Sequence, residues 1–285
     1  MRLRKSSLPD GWYPGNSGEI SRFLSEFASE AVIGPASVTI APHAGWFYSG
    51  KIAARAVACL DKRAETLAVI GGHLPAGHEP LFAMEEAAET PLGNMAIDAE
   101  LRAALIWEIG GKEDRFQDNT VEVLLPMARF FLPNASLLWM RLPADMSAFE
   151  TGKALAAVAK KLGRKPAVLA SADLTHYGQG YGFAPKGTGP EAMRWVREVN
   201  DRRFIDAVES GDPAAVLERA TADNSTCSAG AVLGAMGFAQ ATGAGPARLI
   251  EYGTSADAEL AGVPGSFVGY AAFAFSGRQA GLRDA

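Results

Sequence analysis

The chain has 285 residues, 48% of them hydrophobic and 21% charged, the balance of an ordinary soluble globular protein and not of a disordered or fibrous one. Its formal net charge of -5, with both signs interspersed, lacks the basic footprint that a phosphate backbone needs, so a small-molecule partner is expected and nucleic acid is not. The basic start MRLRKSSLPDGWYPG has no signal-peptide core, no apolar run nears the roughly 18 residues that span a bilayer, and Cys59 and Cys227 form neither a disulfide framework nor a zinc spacing; a cytoplasmic protein without a membrane partner is expected.

In chain order, EISRFLSEFASE predicts a helix with Ile20, Phe23, Leu24 and Phe27 on one face, and ASVTIAP a short buried strand. GKIAARAVACL reads as a helix, TLAVIGG as a strand, DAELRAALIWEIG as a helix, VEVLLPMARFFL as a helix entered from a polar turn, and ASLLWMRL as a strand. AFETGKALAAVAKKLG (helix) and PAVLASAD (strand) follow, then helices in GPEAMRWVREVNDRRFIDAVESG, PAAVLERAT and CSAGAVLGAMGFAQATG, and strands in ARLIEYG and SFVGYAAFAF. This alternation predicts an α/β fold: a mainly parallel central sheet flanked by helices, in a single domain over residues 1–285. HYGQGYGFAPKGTGP, residues 176–190, reads as a long functional loop within it.

Three of the four histidines stand just past predicted strands: His43 after SVTIAP, His73 after LAVIGG and His176 after AVLASADLT. In open parallel sheets those carboxyl ends line the ligand crevice, so three separate loops bring three imidazoles toward one place. One such histidine alone would be read as a loop or core residue; three at equivalent strand ends point to a shared metal site that keeps positions open for substrate, oxygen or water. Asp173, three residues before His176, is placed to complete a mixed ligand set, orient an imidazole, or act as a general base. His78 lies farther out in its loop and reads as solvated or substrate-facing.

Cys227 follows DNST at the start of a predicted helix, where free amides and the helix dipole favour a thiolate. It is a candidate nucleophile or soft ligand, with a small buried hydrophobe as the plain alternative; Cys59, inside AARAVACL, reads as the latter. Trp46 and Tyr48 are candidates for an aromatic wall or for simple packing. GGHLPAG carries no Walker lysine and no strand leads into a dinucleotide fingerprint, so nucleotide binding is not supported; the glycines read as allowing tight turns beside the site.

GWYPGNSGEI, APHAGWFYSG, VIGGHLPAGHEP with ETPLGNMAID, QDNTVEVLLPM, SADLTHYG, STCSAGAVLGAM and SFVGYAAFAF, in this order, resemble the Memo-like family, also described as protein B of the AmmeMemoRadiSam system. That family is similar in fold to the class III extradiol dioxygenases, which open catechol rings with non-haem Fe(II) and molecular oxygen. The resemblance implies metal-site histidines at His43, His73 and His176, a pocket aspartate at Asp173 and a pocket cysteine at Cys227. Two departures stand out. The family's glutamate, histidine and serine are Asp118, Asn119 and Thr120 here, and the loop around His73 is a residue shorter than the usual form.

The expected function is therefore a non-haem iron-dependent dioxygenase or oxidoreductase acting on a small phenolic or chelating substrate, an aromatic one among the candidates. In this expectation His43, His73 and His176 hold Fe(II), with copper or zinc as alternatives, and Asp173, Cys227 and His176 act in catalysis. The alternatives are a non-catalytic metal- or ligand-binding protein on the same scaffold, and a cysteine hydrolase using Cys227, His176 and Asp173. A homo-oligomer is left open.

Overall fold

A computed structural model describes residues 2–28, 35–258 and 263–275. Its main sheet has nine strands: β1 (Val38–Ala41), β2 (Thr66–Leu74), β3 (Leu81–Phe82), β4 (Lys112–Glu113), β5 (Ser136–Pro143), β6 (Pro166–Ser171), β7 (His176–Gly178), β8 (Ala247–Thr254) and β9 (Ser266–Phe275). They are ordered β7-β9-β1-β6-β2-β5-β3-β4, with β8 on β9. The four central strands β1, β6, β2 and β5 are parallel. The flanks are largely antiparallel, β9 against β1, β7 and β8, and β3 against β5. The sheet is thus mixed, with the expected parallel layout at its centre. A second sheet of three two-residue strands, from Leu3–Arg4, Ala87–Ala88 and Met95–Ala96, lies apart from it.

The helices are α1 (Ser17–Ser25), α2 (Trp46–Ala58), α3 (Ala99–Ile109), α4 (Asn119–Glu122), α5 (Leu125–Phe131), α6 (Met146–Lys161), α7 (Pro190–Trp195), α8 (Asp201–Ser210), α9 (Pro213–Ala222) and α10 (Ala229–Thr242). Side chains on a strand alternate between faces, and both faces here are apolar. Ala68, Ile70, Leu138, Met140, Val168 and Ala170 join a core with α3, α6, α8, α9 and α10. Their neighbours Leu67, Val69, Leu137, Trp139, Ala167 and Leu169 join a second core with α1, α2 and α5. The strands therefore read as near-continuous apolar runs because helices cover both sides.

Several boundaries differ from the sequence reading for identifiable reasons. VEVLLPMARFFL is two helices, α4 and α5, with Pro126 in the first turn of α5, where its missing N–H and its restriction on the preceding residue suit a new start. Helix α2 begins at Trp46, four residues before Gly50, so the aromatic WFYS segment is helical. The long helix expected over residues 189–211 is α7, a π-helical turn at Val196–Asn200, and α8. The first predicted helix ends at Ser25, and the end of its sequence segment, Ser29 and Glu30, lies outside the described residues.

Helices α6 and α10 meet through glycine. A Cβ on Gly152 would overlap the carbonyl oxygen of Gly234, and one on Gly237 would overlap that of Phe149. Backbone on both sides leaves no flexible atom to yield, so Gly152→Ala and Gly237→Ala are each expected to lower stability by about 1–3 kcal/mol or more. A fall in the urea midpoint with an unchanged slope checks this.

Candidate metal centre

Strands β1 and β6 are paired in parallel with Ala41 opposite Ser171. Two residues past the end of each strand, His43 and Asp173 lie abreast. The His43 backbone N–H donates to Asp173 Oδ1 at 2.7 Å, its Nδ1 lies 2.9 Å from Ser171 Oγ, and its Nε2 is 3.3 Å from Cys227 Sγ. Both His43 and Asp173 are buried.

His73 arrives by a different device. It lies within β2, not after it, where the pairing with β5 slips by one residue between Gly71 and Leu74. Such a bulge re-aims a side chain, and His73 takes φ +56°, a region non-glycine residues seldom occupy. Its ring stands perpendicular to that of His43 with centroids 5.0 Å apart. A Cβ on Gly71 would overlap the Thr120 hydroxyl, and one on Gly72 would overlap Ser228. These glycines serve close approach: they let α4 and the segment before α10 press onto β2, which sets Asp118 and Cys227 beside His73.

Donor atoms of His43, His73 and Cys227 all lie within 4.8 Å of one another. His176, the first residue of β7, stands at the wall. Its Nε2 is 3.9 Å from Asp173 Oδ2, is buried, and makes no hydrogen bond among the described residues. Its ring packs edge-on against Tyr181 at 4.9 Å. The structure thus brings the five expected residues together, His43, His73, Asp173 and His176 lining one cleft and Cys227 set against His43, and it is Cys227, and not His176, that completes the compact group. His78 is exposed and lines an adjoining cavity with Arg141 and Phe116. Cys59 is buried. Tyr48 lines the cleft, but Trp46 packs against Tyr13 and Phe23 in the core, and the indole in the cleft belongs to Trp12.

Electrostatics follow from this packing. Burial opposes ionisation of Cys227, but the charge of His43 and contacts with His176, His43 and His73 outweigh it and hold the thiol well below its usual range. The sulfur lies two residues before α10, so the imidazoles lower it more directly than the helix end. His73 is pushed up to about 10: burial opposes its charge, and Asp118 and Cys227 overcome that. Burial likewise opposes ionisation of Asp118, which His73, Thr120 and Arg141 nonetheless hold down to about 2. Asp173 is raised, by burial above all.

Arg141 carries no part in the sequence reading and is central here. Buried in β5, its Nη1 lies 2.9 Å from Asp118 Oδ2, while Nε and Nη2 reach Asp114 at 3.1 and 3.2 Å. Asp118 Oδ2 in turn sits 3.0 Å from His73 Nδ1, the carboxylate–histidine arrangement that fixes a ligand ring. Asn119 donates from Nδ2 to the His43 carbonyl at 2.9 Å and faces the cleft. The one sequence signal for Arg141 is a single charge inside the apolar run LLWMRL.

The cleft has a volume of about 640 Å3. A parallel-centred α/β sheet whose strand-end loops bring imidazoles and a carboxylate to one cleft, with a thiol set against them, defines an α/β protein with a candidate ligand site. The chain belongs to the Memo-like family, whose family model, described as Memo-like protein, matches residues 4–274. A MEMO1 family protein of Methanothermobacter thermautotrophicus is 30% identical over 94% of this chain and 99% of its own length. Others from Methanococcoides burtonii and Thermococcus kodakarensis are 30% and 28% identical, over 95% and 96% of this chain and 98% and 99% of their own. A solved structure, of an Escherichia coli K12 protein, matches with a TM-score of 0.48 at 14% identity, over 83% of this chain and 98% of that one, a likeness too distant to carry an argument.

Asp118→Asn, which keeps the shape but removes the charge facing His73, is expected to weaken metal binding roughly 10–100-fold, read by competition with a chelator. In metal-free protein, a lowered thiol keeps its thiolate as pH falls. Iodoacetamide should therefore label Cys227 at an undiminished rate as pH drops through the ordinary thiol range near ~8.5, and His43→Ala should restore a rate that falls there.

Proposed function

We propose that this protein binds one Fe(II) at His43, His73 and Cys227, with His176 turned toward the same cleft, and oxidises a small phenolic or chelating molecule there. The reading rests on the convergence of those three donors within 4.8 Å. Two imidazoles and a thiolate suit iron, copper or zinc and not the all-oxygen sites of magnesium or calcium. The buried, unpartnered Nε2 of His176 is a polar atom that a bound group would satisfy.

Iron held there supplies a redox-active Lewis acid with open positions. The chain's own residues do the rest. Asp173 Oδ2 lies 3.8 and 3.9 Å from the Nε2 atoms of His43 and His176, so its charge faces both rings. Ser171 and Asp118 engage the Nδ1 atoms of His43 and His73, leaving the far nitrogens of both rings for a ligand. Trp12, Tyr48, Tyr181 and Tyr270 line the cleft and offer aromatic faces to a ring lying between them.

A second reading, binding without turnover, is favoured by Asn119. Its amide is neither acid nor base, and it is engaged with a backbone carbonyl. The cysteine hydrolase has less support, because Cys227 Sγ has no single dedicated base: it lies 3.3 Å from His43 Nε2 and is shared among three imidazoles.

Anaerobic loading should give one iron per chain by elemental analysis, lost in His43→Ala, and oxygen uptake with a catechol. Iron retained without oxygen uptake favours the binding reading. Failure to take up any metal overturns both.

A further inference from the structure

We infer that the ligand of this cleft is a planar aromatic whose tail is uncharged or cationic, and that Asp10 at the mouth selects against a carboxylated tail. This rests on the reading above, in which the floor at His43, His73 and Cys227 takes the chelating end.

No lysine or arginine lines the cleft among the described residues. A carboxylate on the ligand would therefore find no cation beyond the floor. Asp173 is buried and engaged at that floor, whereas Asp10 lines the cleft, is exposed, and joins no ion pair among the described residues. A ligand bound by its inner end thus presents its outer end to a carboxylate. Aromatic faces at Trp12, Tyr48 and Tyr181 add to this, since π faces attract cations and tolerate neutral groups.

Asp10 is not on a loose strand of chain. Glu122, buried in α4, accepts hydrogen bonds from Ser7 N, Leu8 N and Tyr13 Oη at 2.8, 2.9 and 3.2 Å. The Trp12 carbonyl accepts from Trp46 N at 2.8 Å, and Trp12 N reaches the Pro9 carbonyl. The backbone on both sides of Asp10 is therefore tied down, which keeps this exposed carboxylate at the mouth of the cleft.

The test uses full-length, iron-loaded protein under anaerobic conditions, titrated calorimetrically with three catechols of the same ring: methylcatechol, dopamine and dihydroxyphenylacetate. Dopamine is expected to bind roughly three- to tenfold more tightly than dihydroxyphenylacetate, the modest factor proper to an exposed charge. Asp10→Asn should narrow that gap and Asp10→Lys should reverse it, with thermal midpoints confirming that both variants fold. Equal or tighter binding of dihydroxyphenylacetate, or a gap indifferent to both substitutions, overturns the inference and leaves the chelating floor standing. If none of the three binds, the reading of the floor falls and takes this inference with it.

Discussion

The site depends on one buried carboxylate residue that ties three separate segments together. Asp173 accepts the His43 backbone N–H through Oδ1, and its own carbonyl accepts the Thr226 hydroxyl at 2.6 Å and the Cys227 N–H at 3.3 Å. A carboxylate taken out of water costs several kcal/mol unless its lone pairs are used, and here burial does raise it. The compensation is positional. Because the parallel register of β1 and β6 already places residues 43 and 173 side by side, two strand ends and the approach to α10 share one anchor, and their donors cannot move independently.

His73 needs a separate support, because the chain reaches it through a bulge and a left-handed backbone. Such a conformation costs on the order of 1–3 kcal/mol and persists only where the surroundings over-determine it. Asp114, Arg141 and Asp118 provide that determination as an alternating series of charges buried behind the ring. Arg141 is surrounded by opposite charge, which is the condition under which a guanidinium tolerates burial in a strand. The two glycines before His73 then let Thr120 and Ser228 come close enough to seat Asp118 and Cys227. Strain, bulge and ion series together bring a third donor to a place that an ordinary strand end would miss.

The strand ends were legible because a parallel sheet covered on both faces leaves long apolar runs, and histidines just past such runs stand out against them. The family motifs were legible for the same reason, since their polar letters interrupt those runs. What could not be read was distance. His176 and Cys227 were both visible as candidates, but which of them stands nearest His43 and His73 depends on the approach of α10 to β2, set by Gly72 and Ser228, over 150 positions apart in the chain. Glu122 read as one more helical residue, yet it holds the opening segment against the cleft. The two-residue strands β3 and β4 are too short to carry a periodicity.

Floor and mouth are built by different means, and this separates their roles. At the floor the donor residues are themselves gripped, His73 through its ring by Asp118 and His43 through its ring by Ser171 and its amide by Asp173, so a change at Asp118, Arg141 or Asp173 alters the donors directly. The N-terminal part of the mouth is held mainly through backbone: Glu122 grips the amides of Ser7 and Leu8, and Trp12 is tied through its carbonyl. The side chain of Asp10 therefore faces the cleft without supporting it, whereas Trp12 both lines the cleft and packs against the second core. A scaffold of this kind can keep one donor set while the opening segment changes what is admitted, whereas Asn119, bonded to the His43 carbonyl, acts on the floor through the backbone and brings no titrating group to it. In the proposed reaction a phenol proton would therefore pass to Asp173, to an imidazole, to Cys227 or to water.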